Sequence, residues 1–220
     1  MFSALAIANY RSLRSLVLPL SQLNIVTGPN GSGKSSVYRA MGLLAEIARG
    51  GVNTAFAREG GFSSALWAGP REISKAMLRG DVPIQGTGSG TAVALKLGIA
   101  SSDEDGFGYA IDLGLPPPPK VSPTAFFKDP EVKTEFIWNG PHLRPSSLLV
   151  ERRNAQLRLR QGKQWQTVGR MLPSWTSMLS EFADPSQAPE MLTLREQLRS
   201  WRFYDHFRCD AQAQIGRAHV

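Results

Sequence analysis

A short glycine-rich stretch constrains this chain more than any other part of its sequence. Gly28–Ser35 reads GPNGSGKS and fits the spacing G-x-x-x-x-G-K-[ST] at every fixed position. The apolar run Leu23–Thr27 precedes it, and apolar residues recur at helical spacing from Lys34 onward. This order predicts a buried central strand, a glycine loop and then a helix, with backbone N–H groups of the loop facing one point at the start of the helix.

The residue types in this loop suit the binding of a chain of phosphates. Glycines permit backbone angles that turn successive N–H groups inward, and the positive end of the helix dipole faces the same anion. In a loop of this pattern the lysine, here Lys34, reaches the β- and γ-phosphates, and the hydroxyl of Ser35 is a ligand for Mg²⁺. The loop therefore predicts binding of ATP and Mg²⁺, with Lys34 as the catalytic residue.

The residues around the loop resemble one branch of the P-loop ATPases. Asn9–Leu13 reads NYRSL, a second predicted strand follows, and the loop carries Asn30 at its third position and Ser36 after its end. This opening resembles the RecF-, SMC- and OLD-like ABC-type ATPases over about Phe2 to Leu44. The resemblance implies that Arg11 lies near the nucleotide. The predicted cofactor-binding residues are Arg11, Gly28, Asn30, Gly31, Ser32, Gly33, Lys34, Ser35 and Ser36.

What the resemblance implies about function goes beyond binding. Heads of this family act in DNA repair, genome maintenance or defence against foreign DNA, and two of them enclose two ATP molecules. We therefore expect ATP-dependent formation of a homodimer and ATP hydrolysis in the intact protein, with DNA as a candidate partner.

The family also carries an acidic strand, a signature segment and a switch histidine, and none of these motifs is found in the sequence. Glu151 and Asp112 follow apolar residues but match the acidic strand poorly. We expect the missing motifs to lie beyond residue 214. The chain alone should then hydrolyse ATP poorly and leave Leu23–Thr27 without a neighbouring strand.

The remaining periodicity predicts an α/β fold with an antiparallel β lobe and a short helical segment. The loop and the resemblance imply the P-loop NTPase class (ABC/SMC-head type), with a core whose last part is missing. Region 1–50 is predicted to be the nucleotide-binding core, and 51–170 the β lobe. Region 171–214 should hold the helical segment and, from Arg202, a return strand.

The tail 215–220 reads IGRAHV, a peptide that a sequencing adapter encodes, and is expected to be non-native. The predicted strands are Ala4–Ala8, Ser15–Leu20, Glu131–Trp138, Leu148–Arg153, Gln156–Gln161 and Trp165–Val168.

Composition narrows the class of protein. No apolar run reaches the roughly 18 residues of a membrane span, and the first basic residues follow the apolar start. The single cysteine, Cys209, excludes an internal disulfide. We therefore expect a cytoplasmic protein with no membrane partner. The net charge of +7 suits contact with nucleic acid and suits solubility equally well.

Several weaker patterns favour structural explanations. Ser101–Asp112 approaches the spacing of a calcium loop, but its flanks alternate like strands, which predicts a polar hairpin turn. A basic cluster, which lies beside Trp165, would suit DNA, yet its arginines alternate with leucines as on a strand with a solvated face. His142 and His206 have no partner at metal-ligand spacing and are interpreted as structural. The basic cluster consists of Arg152, Arg153, Arg158, Arg160 and Lys163.

Two other classes of protein also use this loop. The ATPase subunit of a membrane transporter would normally show an aromatic residue ahead of the loop and a Gln-bearing loop soon after the first helix, and neither is evident here. A small-molecule kinase usually carries the loop at its first strand, whereas two strands are predicted before Gly28.

Overall fold

The architecture is taken from a computed structural model, which describes residues 1–69, 79, 94–116, 128–182 and 184–204. Within these ranges, eight strands form one antiparallel sheet in the order β2-β1-β3-β4-β5-β6-β7-β8. The strands are β1 (Phe2–Tyr10), β2 (Leu13–Pro19), β3 (Leu95–Ser101), β4 (Phe107–Gly114), β5 (Glu131–Asn139), β6 (Leu148–Arg153), β7 (Gln156–Gln161) and β8 (Gln164–Thr167).

Five helices accompany the sheet in the described part of the chain. Helix α1 packs against β1 and against α2, α4 and α5, and α5 also contacts β4. None of the described helices is long and apolar enough to cross a membrane. The helices are α1 (Lys34–Ala48), α2 (Val52–Arg58), α3 (Phe62–Ala65), α4 (Met178–Glu181) and α5 (Pro189–Arg199).

The core lies between the helices and one face of the sheet. Ile7 of β1 is opposite Leu97 of β3, which in turn is opposite Ile111 of β4, and all three side chains are buried. Because strand side chains alternate between the two faces, this register directs every second residue of these strands toward the helices. The buried face of α5, with Met191 and Leu194 completely covered, belongs to the same cluster.

Most predicted elements are confirmed. Both strands before the loop, the helix from Lys34 and the four predicted strands between residues 131 and 168 are present. Ser101–Asp112 spans the end of β3, a turn and most of β4, so the hairpin interpretation of this segment is correct. The helix near the end starts at Pro189, which occupies its first turn, as the missing N–H of proline permits.

The predicted buried strand at Leu23–Thr27 is wrong. This segment is irregular, and the side chains of Leu23 and Ile25 are 79% and 80% exposed. A strand is stable only when a neighbour accepts and donates its ladder of hydrogen bonds, and none of the described strands pairs with these residues. An apolar run without such a neighbour gains nothing from an extended, buried conformation.

The division into regions stays a prediction, although one sheet crosses its first boundary. β1, from region 1–50, pairs with β3, from region 51–170. Residues 202–204 are irregular, so the described start of the predicted return strand is not a strand. The rest of that strand, His206, Cys209 and the tail 215–220 lie outside the described residues.

A completely buried ion pair joins the sheet to the segment before α4. Arg152 of β6 donates from Nη1 to the carboxylate of Glu135 at 3.0 Å, and both side chains are 0% exposed. The same carboxylate accepts hydrogen bonds from the Tyr109 hydroxyl at 2.6 Å, the Ser177 hydroxyl at 2.5 Å and the Met178 N–H at 2.8 Å. Burial, followed by the charge of Glu135, raises the pKa of Tyr109 well above its usual value. Arg152 is therefore a core residue and does not belong to the predicted basic cluster on the surface.

Candidate functional site

The glycine loop enters α1 through a backbone conformation that favours glycine. Gly33, the residue before the helix, has φ 99° and ψ 4°, and no side chain caps the first turn. A Cβ at Gly33 would lie 2.8 Å from Leu13 Cδ2 and 3.2 Å from Ser12 Oγ, so the loop packs tightly on the β1–β2 turn. The first N–H groups of an uncapped helix have no intrahelical acceptor, and they are donors for an anion.

The side chain of Lys34 forms hydrogen bonds with the backbone at the start of the loop. Its ammonium group donates hydrogen bonds of 2.7 Å to the carbonyl of Gly28 and 2.7 Å to the carbonyl of Pro29. A second tie holds the loop together where the Ser32 N–H donates to Pro29 O at 3.3 Å. Because an ammonium carries three N–H donors, one remains for a further acceptor. Lys34 therefore shapes the loop and still presents a positive charge.

A cleft of about 410 Å³ lies against the loop. Two of the predicted binding residues, Gly28 and Ser32, do not line it: Gly28 provides a carbonyl to Lys34, and Ser32 contributes to the internal tie. The structure brings the other predicted binding residues together with Ser12, which the sequence prediction omitted. The lining residues are Arg11, Ser12, Asn30, Gly31, Gly33, Lys34, Ser35 and Ser36.

The turn between β1 and β2 forms the second wall of the cleft. Arg11 has φ 48°, and its N–H donates to the carbonyl of Ala65 at 2.8 Å. The hydroxyl groups of Ser12 and Ser36 lie 3.0 Å apart, which ties the turn to the first turn of α1. Ser36 is buried in this contact, whereas Ser35 beside it is exposed. Ser12 directly follows Arg11 in NYRSL, and its place in that segment is the signal by which it could have been found.

Glu59, at the end of α2, holds the side chain of Arg11. The guanidinium Nε donates to Glu59 Oε2 at 2.6 Å, and Nη2 contacts the same oxygen. Burial disfavours the charge of Arg11, but Glu59 and Tyr10 together outweigh burial and raise the pKa of the guanidinium above its usual value. Burial, and next the Glu59 carboxylate, raise the pKa of the neighbouring Tyr10 to about 12. No sequence pattern pointed to Glu59.

The chemistry of the lining suits an anion. It contains two cations, Arg11 and Lys34, together with hydroxyl and amide groups, and no carboxylate among the described lining residues. Helix N–H groups, a lysine and an arginine are the donors that phosphate groups accept from in proteins. The residues present therefore fit a nucleotide phosphate chain, with Ser35 available as a hydroxyl ligand for Mg²⁺. Such an ion, when bound, neutralises part of the phosphate charge.

A larger hollow of about 880 Å³ adjoins the cleft. Lys34 and Ser35 line both spaces, so the two meet at the start of α1. The larger one runs along the α1 side chains Tyr38 and Arg39 toward Phe203, whose ring meets that of Tyr38 edge-on at 5.5 Å.

The two carboxylates considered for an acidic strand lie elsewhere. Glu151 belongs to β6 and is paired with Arg153 and Arg158. Burial opposes its ionisation, but the two guanidinium groups outweigh burial and hold the pKa of this carboxyl below its usual value. Asp112 of β4 pairs with Lys96 at 3.4 Å. Neither carboxylate lines the cleft.

The basic cluster is largely occupied by contacts within the protein. Arg158 binds Glu151 and lies over the ring of Trp165, with its Cζ 5.3 Å from the ring centre. Arg160 donates to the backbone carbonyls of Pro145 and Ser146 at 3.0 and 2.9 Å. Leu157 and Leu159, which alternate with these arginines, are buried, as expected for a strand with one solvated face.

Comparison with known families gives one match. No curated protein matches the chain. Residues 1–63 match the family of the AAA ATPase domain, a segment that includes β1, β2, the glycine loop, α1 and α2. The match contains the 410 Å³ cleft and both partners of the ion pair between Arg11 and Glu59. Over residues 1–63 the chain is therefore similar to the AAA-type ATPases, which are P-loop proteins that bind and hydrolyse ATP.

Proposed function

We propose that this chain binds ATP with Mg²⁺ in the 410 Å³ cleft, as the nucleotide-binding head of a RecF/SMC-like ATPase. One observation carries the proposal. The uncapped start of α1, the ammonium of Lys34 and the guanidinium of Arg11 all face one cleft that no described carboxylate lines. The similarity of residues 1–63 to AAA-type ATPases supports the ATP-binding part of this proposal.

Each part of the cleft has a distinct task in this proposal. The N–H groups of Gly31 and Gly33 to Ser35 donate to phosphate oxygens, and Lys34 provides its remaining N–H donor as a catalytic cation. The hydroxyl of Ser35 is the proposed ligand for Mg²⁺, and Arg11 binds the phosphate chain from the opposite wall. Asn30 and Ser36 complete the lining, while Gly28 and Ser32 maintain the shape of the loop.

Hydrolysis is proposed for the assembled ATPase rather than for these residues alone. A group that holds the metal and orients the attacking water is usually a carboxylate. The two carboxylates that the sequence offered for this role, Glu151 and Asp112, are paired within the sheet. We propose that two heads close on ATP as a homodimer in the cytoplasm, and that DNA is the partner on which this cycle acts. The net charge of +7 supports a polyanionic partner.

The decisive measurement compares the affinities of the wild-type 220-residue chain and of its Lys34→Ala variant for Mg·ATP. Lys34→Ala should weaken binding by about tenfold or more, since it removes a charge-assisted contact to phosphate and opens the loop. Lys163→Ala makes the same charge change in the exposed turn between β7 and β8, and it should leave the affinity unchanged. Equal affinities of the wild type and Lys34→Ala would refute the proposed function.

A second measurement concerns the metal. Ser35→Ala should reduce the dependence of ATP affinity on Mg²⁺ concentration, since it removes the proposed hydroxyl ligand. Ser146→Ala, which removes an exposed hydroxyl from the turn before β6, outside the cleft lining, is the control. An identical Mg²⁺ dependence of Ser35→Ala and the wild type would exclude Ser35 as the ligand.

A further inference from the structure

The ion pair between the β1–β2 turn and the end of α2 gives the phosphate cleft a supporting residue. We infer that Glu59 is a positioning residue for Arg11: its carboxylate holds the guanidinium of Arg11 at the wall of the cleft. This inference rests on the proposed function and adds a residue to it. Glu59 lines the larger hollow and not the cleft, and its hydrogen bonds to Arg11 connect it to the cleft lining.

Several contacts hold the backbone around Glu59. It caps the C-terminus of α2, where its N–H donates to the carbonyl of Phe56 at 3.1 Å. Gly60 and Gly61 then reverse the chain with φ values of 86° and 96°. The rings of Phe56 and Phe62, both buried, meet edge-on at 5.0 Å and close this turn from both sides. The carboxylate therefore projects from a fixed point.

The backbone of Arg11 is held by the same segment. Its N–H donates to Ala65 O at 2.8 Å, and the Trp67 N–H donates to Asn9 O at 3.0 Å. The chain after α2 thus binds the β1–β2 turn in two ways. Residues 65–67 form hydrogen bonds with the backbone of the turn, and Glu59 forms hydrogen bonds with the side chain of Arg11. Both ends of Arg11 are fixed relative to the cleft.

Such a contact prepares the guanidinium for an anion. A guanidinium has five N–H donors, and Glu59 uses only two of its nitrogens, Nε and Nη2. The remaining donors serve an acceptor in the cleft. An arginine side chain that is already ordered loses less conformational entropy when it binds phosphate, and this preorganisation increases affinity. The carboxylate also balances the charge of Arg11 when no anion is bound.

The test is a double-mutant cycle on ATP affinity, measured by titration of a fluorescent ATP analogue with Mg²⁺. Glu59→Ala should weaken binding by about threefold to tenfold, and Glu59→Gln, which keeps an oxygen acceptor, should weaken it less. In an Arg11→Ala background, Glu59→Ala should have no further effect, because its influence passes through Arg11. Glu46→Ala is the matched control, since Glu46 lines the larger hollow as Glu59 does but pairs with Arg49 and Arg58 instead of Arg11.

A second readout needs no nucleotide. The Nε–H resonance of Arg11 in nitrogen-15 NMR spectra should be shifted in the wild type by its hydrogen bond to the carboxylate. Glu59→Gln, whose neutral amide oxygen is a weaker acceptor, should move it part of the way toward the position of a solvated arginine. The comparison stays valid if Glu59→Ala fails to fold, because Glu59→Gln keeps the shape of the side chain.

Three results would overturn the inference: tighter or unchanged ATP binding by Glu59→Ala, additive effects of the two substitutions, or an unmoved Arg11 resonance. A failure of the proposed function looks different. In that case Lys34→Ala binds ATP as well as the wild type does, whereas a wrong role for Glu59 leaves the dependence on Lys34 intact.

Discussion

Replacing Arg152 with methionine removes one partner of an ion pair that has no contact with water. Arg152 donates to Glu135 and to three backbone carbonyls, those of Asn154 at 2.6 Å, Thr176 at 2.5 Å and Pro173 at 2.6 Å. In Arg152→Met the charge of Glu135 stays buried without its counterion, and the carbonyls lose their donor. Removing one partner of a buried pair typically costs about 3–5 kcal/mol of unfolding free energy.

The neighbouring residue provides the control. Arg153 points to the other face of the sheet, its side chain is 64% exposed, and its partner is Glu151. Arg153→Met deletes the same charge from the same strand. Glu151 keeps Arg158 as a partner and the lost guanidinium is exposed, so this loss should be only about 0–1 kcal/mol. Both variants are compared by urea unfolding, followed by tryptophan fluorescence and circular dichroism so that two-state behaviour is checked.

The double variant separates the pair from its surroundings. Glu135→Gln alone leaves a buried, uncompensated guanidinium, so it should be destabilising as well. Combined with Arg152→Met, the total loss should be smaller than the sum of the two single losses by about 1–3 kcal/mol. If Arg152→Met and Arg153→Met differed by less than about 1 kcal/mol, our account of the buried pair would be refuted.

Three further predictions concern Gly33 in the glycine loop, the ionisation of Tyr10 and the exposed segment Leu23–Thr27. Gly33→Ala should lower the unfolding free energy by about 1–3 kcal/mol and weaken ATP binding, because its Cβ would lie 2.8 Å from Leu13 in a left-handed conformation. Gly162→Ala, at φ 61° with nothing within 4 Å, is the control and should lose less unfolding free energy in the same urea assay and leave ATP binding unchanged. The pKa of Tyr10 is raised from 10.0 to about 12, so stability that is fully present below pH 10 is lost as the pH rises toward 12. Tyr10→Phe should flatten this part of the pH profile of unfolding free energy, and an unchanged slope would contradict the assignment. Ile25→Ser should change stability by less than about 0.5 kcal/mol, because the side chain is 80% exposed, and a larger loss would show that the segment is packed.

The sequence alone was sufficient where the signal is local. The spacing of Gly28–Ser35 predicted the loop, since the conformation of each glycine and the start of α1 depend on residues within a few positions. Alternation predicted β3 and β4 as a hairpin for the same reason, because a polar turn joins two strands that need only each other. The residues that line the cleft, except Ser12, followed from the loop motif and from the resemblance around Arg11, although Gly28 and Ser32 were also predicted and do not line it.

Only the tertiary structure decided the contacts between distant parts of the chain. Arg11 and Glu59 are 48 positions apart, and Arg152 and Glu135 are 17 apart, so no local pattern shows that they meet. A buried arginine and an exposed one look alike in RR at 152–153, and the register between β5 and β6 alone separates them. The same limit explains Leu23–Thr27: apolar residues favour a strand, but a strand forms only where another strand supplies its hydrogen bonds.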